Sequence, residues 1–264
     1  MNIKFKHIFI LPLLLSSFNV LGAPARKTLQ LGVYHSNITY TEPDVMEEEG
    51  YLLGLMSRFV YYEGNLFRTL EISYAGGYMD YDGSGTIENI PNEIFEIRGL
   101  LGHDLAYIAD YKISPYFGLG YRYLIDDSSD LVSSTSAGDY ERKQSYFYFP
   151  IGIELKKQNA IYGWMLSASV EYDLLIGGES TVYIGDTEDL YFTQDEGHGT
   201  RISMSFTRDY HNGLALTVAP FYRYWSISES DMDYDTNNYG WVIPDNHSEE
   251  FGISLSFTMY GMFN

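Results

Sequence analysis

Phe117-Gly118-Leu119-Gly120-Tyr121-Arg122-Tyr123-Leu124-Ile125 decides the fold. Its odd positions are large and apolar, whereas its even positions run through two glycines and an arginine. Such period-2 alternation marks a strand with two unlike faces. Either a second sheet or lipid can bury the apolar face. The other face separates these cases, because small and charged residues suit a polar lumen. The split recurs on both sides of this stretch. Over 145–156, Phe147, Phe149, Ile151, Ile153 and Leu155 alternate with Tyr148, Gly152, Glu154 and Lys156. Over 162–176, Trp164, Leu166, Ala168, Val170, Tyr172 and Leu174 alternate with Ser167, Ser169, Glu171 and Asp173. Over 200–208, Ile202, Met204 and Phe206 alternate with Arg201, Ser203 and Ser205.

Ten segments of this kind follow one another: 28–40, 51–62, 67–79, 93–108, 114–126, 145–157, 162–177, 200–209, 214–227 and 250–263. An even number lets both termini sit on one side of a closed barrel. The connections alternate in length. Glu63–Leu66, Asp110–Ile113, Lys157–Ala160 and Tyr210–Gly213 are short and turn-like, while 41–50, 80–92, 127–144, 178–199 and 228–249 are long. The expected fold is all-β: a ten-stranded antiparallel transmembrane β-barrel with short periplasmic turns and long extracellular loops. The last segment fits the same scheme. Phe251, Ile253, Leu255, Phe257, Met259 and Phe263 alternate with Gly252, Ser254, Ser256 and Thr258. Gly252-x-x-Leu255-x-Phe257 resembles the C-terminal signal read by the barrel-assembly machinery, an expected partner during biogenesis.

The ends and the composition agree. Lys4 and Lys6 precede an apolar stretch from Ile8 to Val20, and small residues follow at Gly22 and Ala23. That run is too short to span a bilayer and reads as a signal peptide over 1–22, which leaves a barrel over 23–264. No later segment reaches about 18 consecutive apolar residues, so no transmembrane helix is expected. The chain has no cysteine, so disulfides cannot hold it together. Its 26 tyrosines suit the aromatic girdles of a membrane barrel. The formal charge is −20, of which Lys4 and Lys6 contribute +2, so the chain without its leader stands near −22. Phosphate would be repelled, which excludes nucleic acid as a partner. Cationic peptides are the electrostatically sensible ligands, and outer-membrane lipids and lipopolysaccharide the expected surroundings.

Alternation also assigns the lumen. Arg58, Arg98, Arg122, Arg201 and Arg223 should face inward, with Glu71, Glu96, Asp104, Glu154, Glu171 and Asp173. Charges inside a narrow barrel must pair or be hydrated, so a salt-bridged plug is expected in preference to an open channel.

The stretch 76–99 adds a resemblance. Gly76-Gly77-Tyr78-Met79-Asp80-Tyr81-Asp82 and Asn92-Glu93-Ile94-Phe95-Glu96-Ile97-Arg98-Gly99 resemble the second surface loop and fourth strand of the omptins, the ten-stranded outer-membrane proteases. Phe149-Pro150-Ile151-Gly152 and Asp195-Glu196-Gly197-His198 continue it. The resemblance implies catalytic roles: His198, oriented by Asp195, would deprotonate a water held by Asp80 and Asp82 and so cleave basic peptides. In the omptin dyad one residue separates Asp from His, which puts both on one face. Here two residues intervene, so a bulge at Gly197 is needed to restore the geometry. Asp80 likewise follows the lipid-facing register of Leu70, Ile72 and Tyr74 unless Gly76-Gly77 shifts it.

Other polar clusters point to less. Asp209-Tyr210-His211 has the one-residue spacing but falls in an expected periplasmic turn. Asp80–Ile87 resembles half of a calcium loop, yet its twelfth position is Pro91 rather than a bidentate glutamate. Asp231-Met232-Asp233-Tyr234-Asp235 reads as a solvated loop tip, and His103 as an interfacial residue. No cofactor and no metal are expected. Three functions stay open: a non-catalytic surface scaffold or ligand-contact barrel, an omptin-like endoprotease, and a small pore.

Overall fold

The structure, a computed structural model, describes residues 26–261 apart from 106, 109, 136–139, 158, 185–187, 211 and 212. The expected leader, His211 and Phe263 lie outside the described residues. Thirteen strands follow one another: β1 (Arg26–Glu42), β2 (Met46–Glu63), β3 (Leu66–Asp82), β4 (Thr86–His103), β5 (Tyr111–Asp127), β6 (Glu141–Lys157), β7 (Met165–Ile184), β8 (Glu188–Gln194), β9 (Gly197–Tyr210), β10 (Leu214–Ile227), β11 (Asp233–Tyr234), β12 (Gly240–Trp241) and β13 (Asn246–Tyr260). Ten of them close a ring, in the order β1 to β7, then β9, β10 and β13, with β13 returning to β1. Every neighbouring pair is antiparallel, and β6–β7 and β1–β13 complete the circle. β8 pairs with the outer part of β7 and continues the line of β9, interrupted at Asp195-Glu196. β11 and β12 form a separate small ribbon within the last outer connection.

The alternation read from the sequence sets the two faces. Phe117, Phe147 and Phe257 are 48%, 43% and 53% exposed, and nothing but lipid can cover a belt of such side chains. Tyr148, Ser114, Ser254 and Ser256, from the other parity, are buried in the lumen. Small residues there make room for large ones on the next strand. A Cβ on Gly120 would stand 2.1 Å from the Tyr148 ring, and one on Gly54 2.3 Å from the ring of Tyr34.

The strands run further than the sequence reading expected. Most of 41–50, 80–92 and 178–199 is strand and not loop, and the outer turns shrink to 43–45 and 83–85. The ladder outlasts the lipid belt: outside it, Glu47 and Glu49 face water while Met46, Glu48 and Leu52 face in. The reward lies inside. Tyr34, Ile38, Tyr40, Met46, Leu52, Ala75, Met79 and Ile94 form one apolar cluster within the outer barrel. The turn expected at Lys157–Ala160 lies instead at Tyr162-Gly163, where both residues have positive φ (51° and 81°) and Ile161 pairs with Trp164. Positive φ at both central positions matches the right-handed twist of a hairpin. The turn at Gly64 (φ 61°) falls where the sequence places it.

Candidate functional site

The resemblance to omptins nominates Asp80, Asp82, Asp195 and His198. The structure leaves Asp80 and Asp82 on the outward face of β3 and sets them across the barrel from Asp195 and His198. β3 keeps its alternation through Gly76 and Gly77, so Met79 is buried and Asp80 points outward. The register shift lies opposite, where Glu88 and Asn89 of β4 face Asp80 alone. Asn89 takes a φ of 60° and donates its backbone N–H to Asp80 Oδ1 at 2.8 Å. Asp82 is exposed beside the turn closed by Gly83 N–H to the Gly85 carbonyl. His198 pairs with Leu174 of β7 and so also faces outward. Its ring stacks on Tyr172 at 5.6 Å and leans on Tyr224 at 6.3 Å, within an outer aromatic girdle. Asp195 is exposed at the break between β8 and β9. β3 and β9 lie five strands apart in a ring of ten, on opposite sides of the barrel. Among the described residues, no hydrogen bond or ion pair joins any two of the four.

The polar groups that do converge are in the lumen. Arg98 on β4 bonds Glu71 of β3 through Nε (2.8 Å) and Nη2 (2.7 Å), and reaches Glu171 of β7. Arg201 on β9 pairs with Asp173 (2.7 Å), Glu171 (3.3 Å) and, bidentately, Glu96 of β4. Tyr148 Oη accepts from Arg201 at 3.0 Å and donates to Glu96 at 2.7 Å. Glu71 also holds Arg58 at 3.2 Å. Arg223 pairs with Glu250 at 3.1 Å, and Ser36 donates to the same carboxylate at 2.9 Å. Arg201 and Glu96 come from strands four apart in the ring, so their bonds cross the lumen. Trp225 packs on this layer, edge-on to Tyr148 at 5.1 Å and stacked on Tyr146 at 6.1 Å. Arg122 is also buried here at the Glu96 row, yet among the described residues it has no ion pair, and its Nη1 lacks a hydrogen-bond partner. Glu154 pairs with Lys156 at 2.9 Å, nearer the inner end.

A second cluster sits nearer the outer mouth, and the sequence reading missed it. Arg142 on β6 bonds Glu42 of β1 (3.0 Å), Glu48 of β2 (3.4 Å) and Asp126 of β5 (3.0 Å), and lies over the Tyr40 ring at 4.6 Å. β1 and β6 are diametrically opposed, so this pair also spans the barrel. The cluster stands outside the lipid belt, whose outward apolar residues begin at Tyr51 on β2 and Phe147 on β6. Burial, with the nearby Asp126 carboxylate behind it, pushes the Glu48 carboxyl up to about 8. The signal was present in the sequence: Arg142, Gln144, Tyr146 and Tyr148 share one parity. The expected strand starts only at Ser145, because Glu141 and Lys143, the outward partners of Arg142 and Gln144, are polar and give no apolar face.

The acidic stretch 231–235 serves the loop itself. Asp231 accepts Thr193 N–H at 2.6 Å and Asp233 accepts Tyr191 N–H at 2.8 Å, tying the last outer connection to β8. Asp235 accepts from Asn237 N, Tyr239 N and Trp241 Nε1, which holds its carboxyl below the usual carboxylate range. Beneath, Leu190, Phe192 and Ile243 form a small apolar cluster. Among the described residues no group of His, Asp and Glu side chains could hold a metal ion.

In structure, the chain is similar to the outer membrane protease OmpT from Escherichia coli, at 8% identity and a TM-score of 0.58, over 89% of this chain and 96% of that one. Weaker likenesses are to the translocator domain of the autotransporter NalP from Neisseria meningitidis (12% identity, 88% of each chain, TM-score 0.44) and to the P. putida toluene transporter TodX (9% identity, 92% and 91% covered, TM-score 0.39). No protein-family model matches the chain, and no curated protein matches it in sequence. At such identities OmpT shares the fold alone. That fold, with a lipid-facing belt around a closed ring of ten strands, makes the chain a β-barrel protein of a Gram-negative outer membrane.

Proposed function

We propose that this protein is a surface-exposed outer-membrane barrel that acts as a non-catalytic scaffold, contacting ligands through its acidic outer end. The observation that carries this reading is the set of lumen-crossing bonds, Arg201–Glu96 in the middle and Arg142–Glu42 nearer the outer mouth. Side chains that meet across the lumen leave the barrel a rigid, filled support rather than a conduit. The outward placing of Asp80 and His198 supports the same reading. Outer-membrane lipids and lipopolysaccharide would cover the belt, cationic peptides would be drawn to the outer carboxylates, and the barrel-assembly machinery would receive the last strand. In planar bilayers the protein should give no discrete conductance steps. Regular single-channel openings would favour the small pore instead.

The shared fold with OmpT and the exposed Asp80 and Asp82 favour a second reading, an omptin-like endoprotease. It requires Asp195 and His198 to be carried from the outer girdle across half the barrel. Incubated with lipopolysaccharide and a fluorogenic basic peptide, the barrel should leave the peptide intact. Cleavage that Asp82→Ala abolishes would make the protein a protease and end the scaffold reading.

A further inference from the structure

On the inner side of the ion-pair layer the lumen opens into a cavity of about 900 Å³, which runs from Glu96 and Arg201 to the inner mouth at Arg26 and Tyr260. This volume is in the range of small-molecule sites. Its charge is opposite to that of the protein. Nine of the sixteen lysines and arginines line it, against four carboxylates, in a chain of net charge −20. Three more carboxylates, Asp104, Asp173 and Glu250, pair with these cations from outside the lining, and among the described residues positive charge remains in excess.

The cations are placed on two facing sides of the mouth. β1 and β2 supply Arg26, Lys27 and Arg58, while β5 and β6 supply Lys112, Lys156 and Lys157. Lys156, which pairs with Glu154 at 2.9 Å, lines the same cavity as Arg58. Arg58 Nε is buried without a hydrogen-bond acceptor, although Glu71 lies 3.2 Å away. Arg26 and Lys157 rest on the rings of Tyr62 and Tyr111, at 5.1 and 5.0 Å, and among the described residues neither pairs with a carboxylate. Like charges facing each other in a confined space repel, and an anion between them relieves that repulsion. The walls differ as well. One presents Tyr34, Met56, Phe67 and Tyr116, and the other a hydroxyl-rich surface in which Ser169 bonds Ser203 and Thr207 bonds Thr217.

We propose that this cup is a binding site, entered from the periplasmic side, for an organic anion that carries a phosphate or carboxylate beside a ring. Arg58, Lys156 and Lys157 hold the acid group, the aromatic wall takes the ring, and the hydroxyl wall meets polar substituents. A soluble molecule and a lipid headgroup could both bring that acid group.

Isothermal titration of the intact barrel in non-ionic micelles tests this, with phenyl phosphate as the soluble probe, dodecyl phosphate as the lipid-like probe and phenol as the uncharged control. Saturable phenyl phosphate binding is expected, weakened severalfold in 0.5 M NaCl by screening, with no comparable binding of phenol. The double variant Lys156→Gln/Lys157→Gln should weaken it roughly tenfold or more, as expected when charge-assisted contacts are lost. Lys157→Arg should retain it. Lys157 contacts the Tyr111 ring at the rim, so Lys157→Gln alone leaves the ion-pair layer whole and separates lost binding from lost folding. Tighter binding of dodecyl phosphate than of phenyl phosphate would assign the anion to a lipid, and the reverse to a soluble molecule. The site is overturned if phenol binds as well as phenyl phosphate, if no saturable binding occurs at low salt, or if the double variant binds unchanged.

Discussion

The two ends of the lumen are built on the same ten strands and solve opposite problems. At the outer end one arginine, Arg142, serves three carboxylates, and bulky side chains from Tyr34 to Ile94 fill the space. At the inner end cations exceed carboxylates, and serines and threonines leave a cavity. Alternation fixes which residues face inward, but it does not decide whether the inside is full. Side-chain size and charge balance decide that, strand by strand. The layer around Arg201 separates the two regimes.

Breaking that layer should have the largest effect. Arg201→Ala would leave Glu96 without its bidentate partner and Asp173 without the Nε–H it accepts, and removing one member of a buried pair costs about 3–5 kcal/mol. The urea midpoint of the barrel in micelles should fall accordingly. An unchanged midpoint would mean that the layer does not hold the two ends apart.

The next effect belongs to the outer end and depends on pH. The carboxyl of Glu48 ionises near 8 in the folded protein and near 4.3 when unfolded. Its folded pKa is raised, so the stabilisation it contributes is fully present below about 4.3. It is then lost as pH rises to about 8, because the unfolded chain ionises first. Glu48→Gln should remove this slope. It should resemble the parent near pH 4.5 and be more stable than it at pH 8 by roughly 1–3 kcal/mol. Parallel stability curves for the two proteins would rule out a proton held at Glu48.

The smallest effect is local. Asp235→Ala removes the acceptor for two backbone amides and the Trp241 indole. Amide exchange at Asn237 and Tyr239 should quicken while the unfolding midpoint stays where it was. A shift of the whole transition would show that the loop is coupled to the lumen.

Much of this molecule is legible in its sequence, and the illegible part has a physical reason. The ten lipid-facing runs, the turn at Gly64 and the inward parity of Glu71, Glu96, Arg98, Glu171 and Arg201 all follow from period 2. The Arg142 cluster does not, because a strand was recognised there only by its greasy outer face. Past the belt that face turns polar while the ladder goes on. The lysines of the inner mouth were visible one at a time, but only the closed ring sets β1 and β2 opposite β5 and β6. The resemblance to omptins fails to converge for the reason alternation supplies: Asp80 and His198 keep the outward parity of their strands, and the one irregularity near Asp80 falls on β4.

One consequence concerns how such a chain comes to exist. The ring is shut by β1 against β13, and the hydrogen bond from Gln30 to Ser256 joins residues 226 apart. Until the last strand arrives, every intermediate carries two raw sheet edges, an invitation to stick to its neighbours. A copy cut before β13 (Asn246–Tyr260) would keep both edges open for good, and should aggregate or be degraded where the whole chain persists.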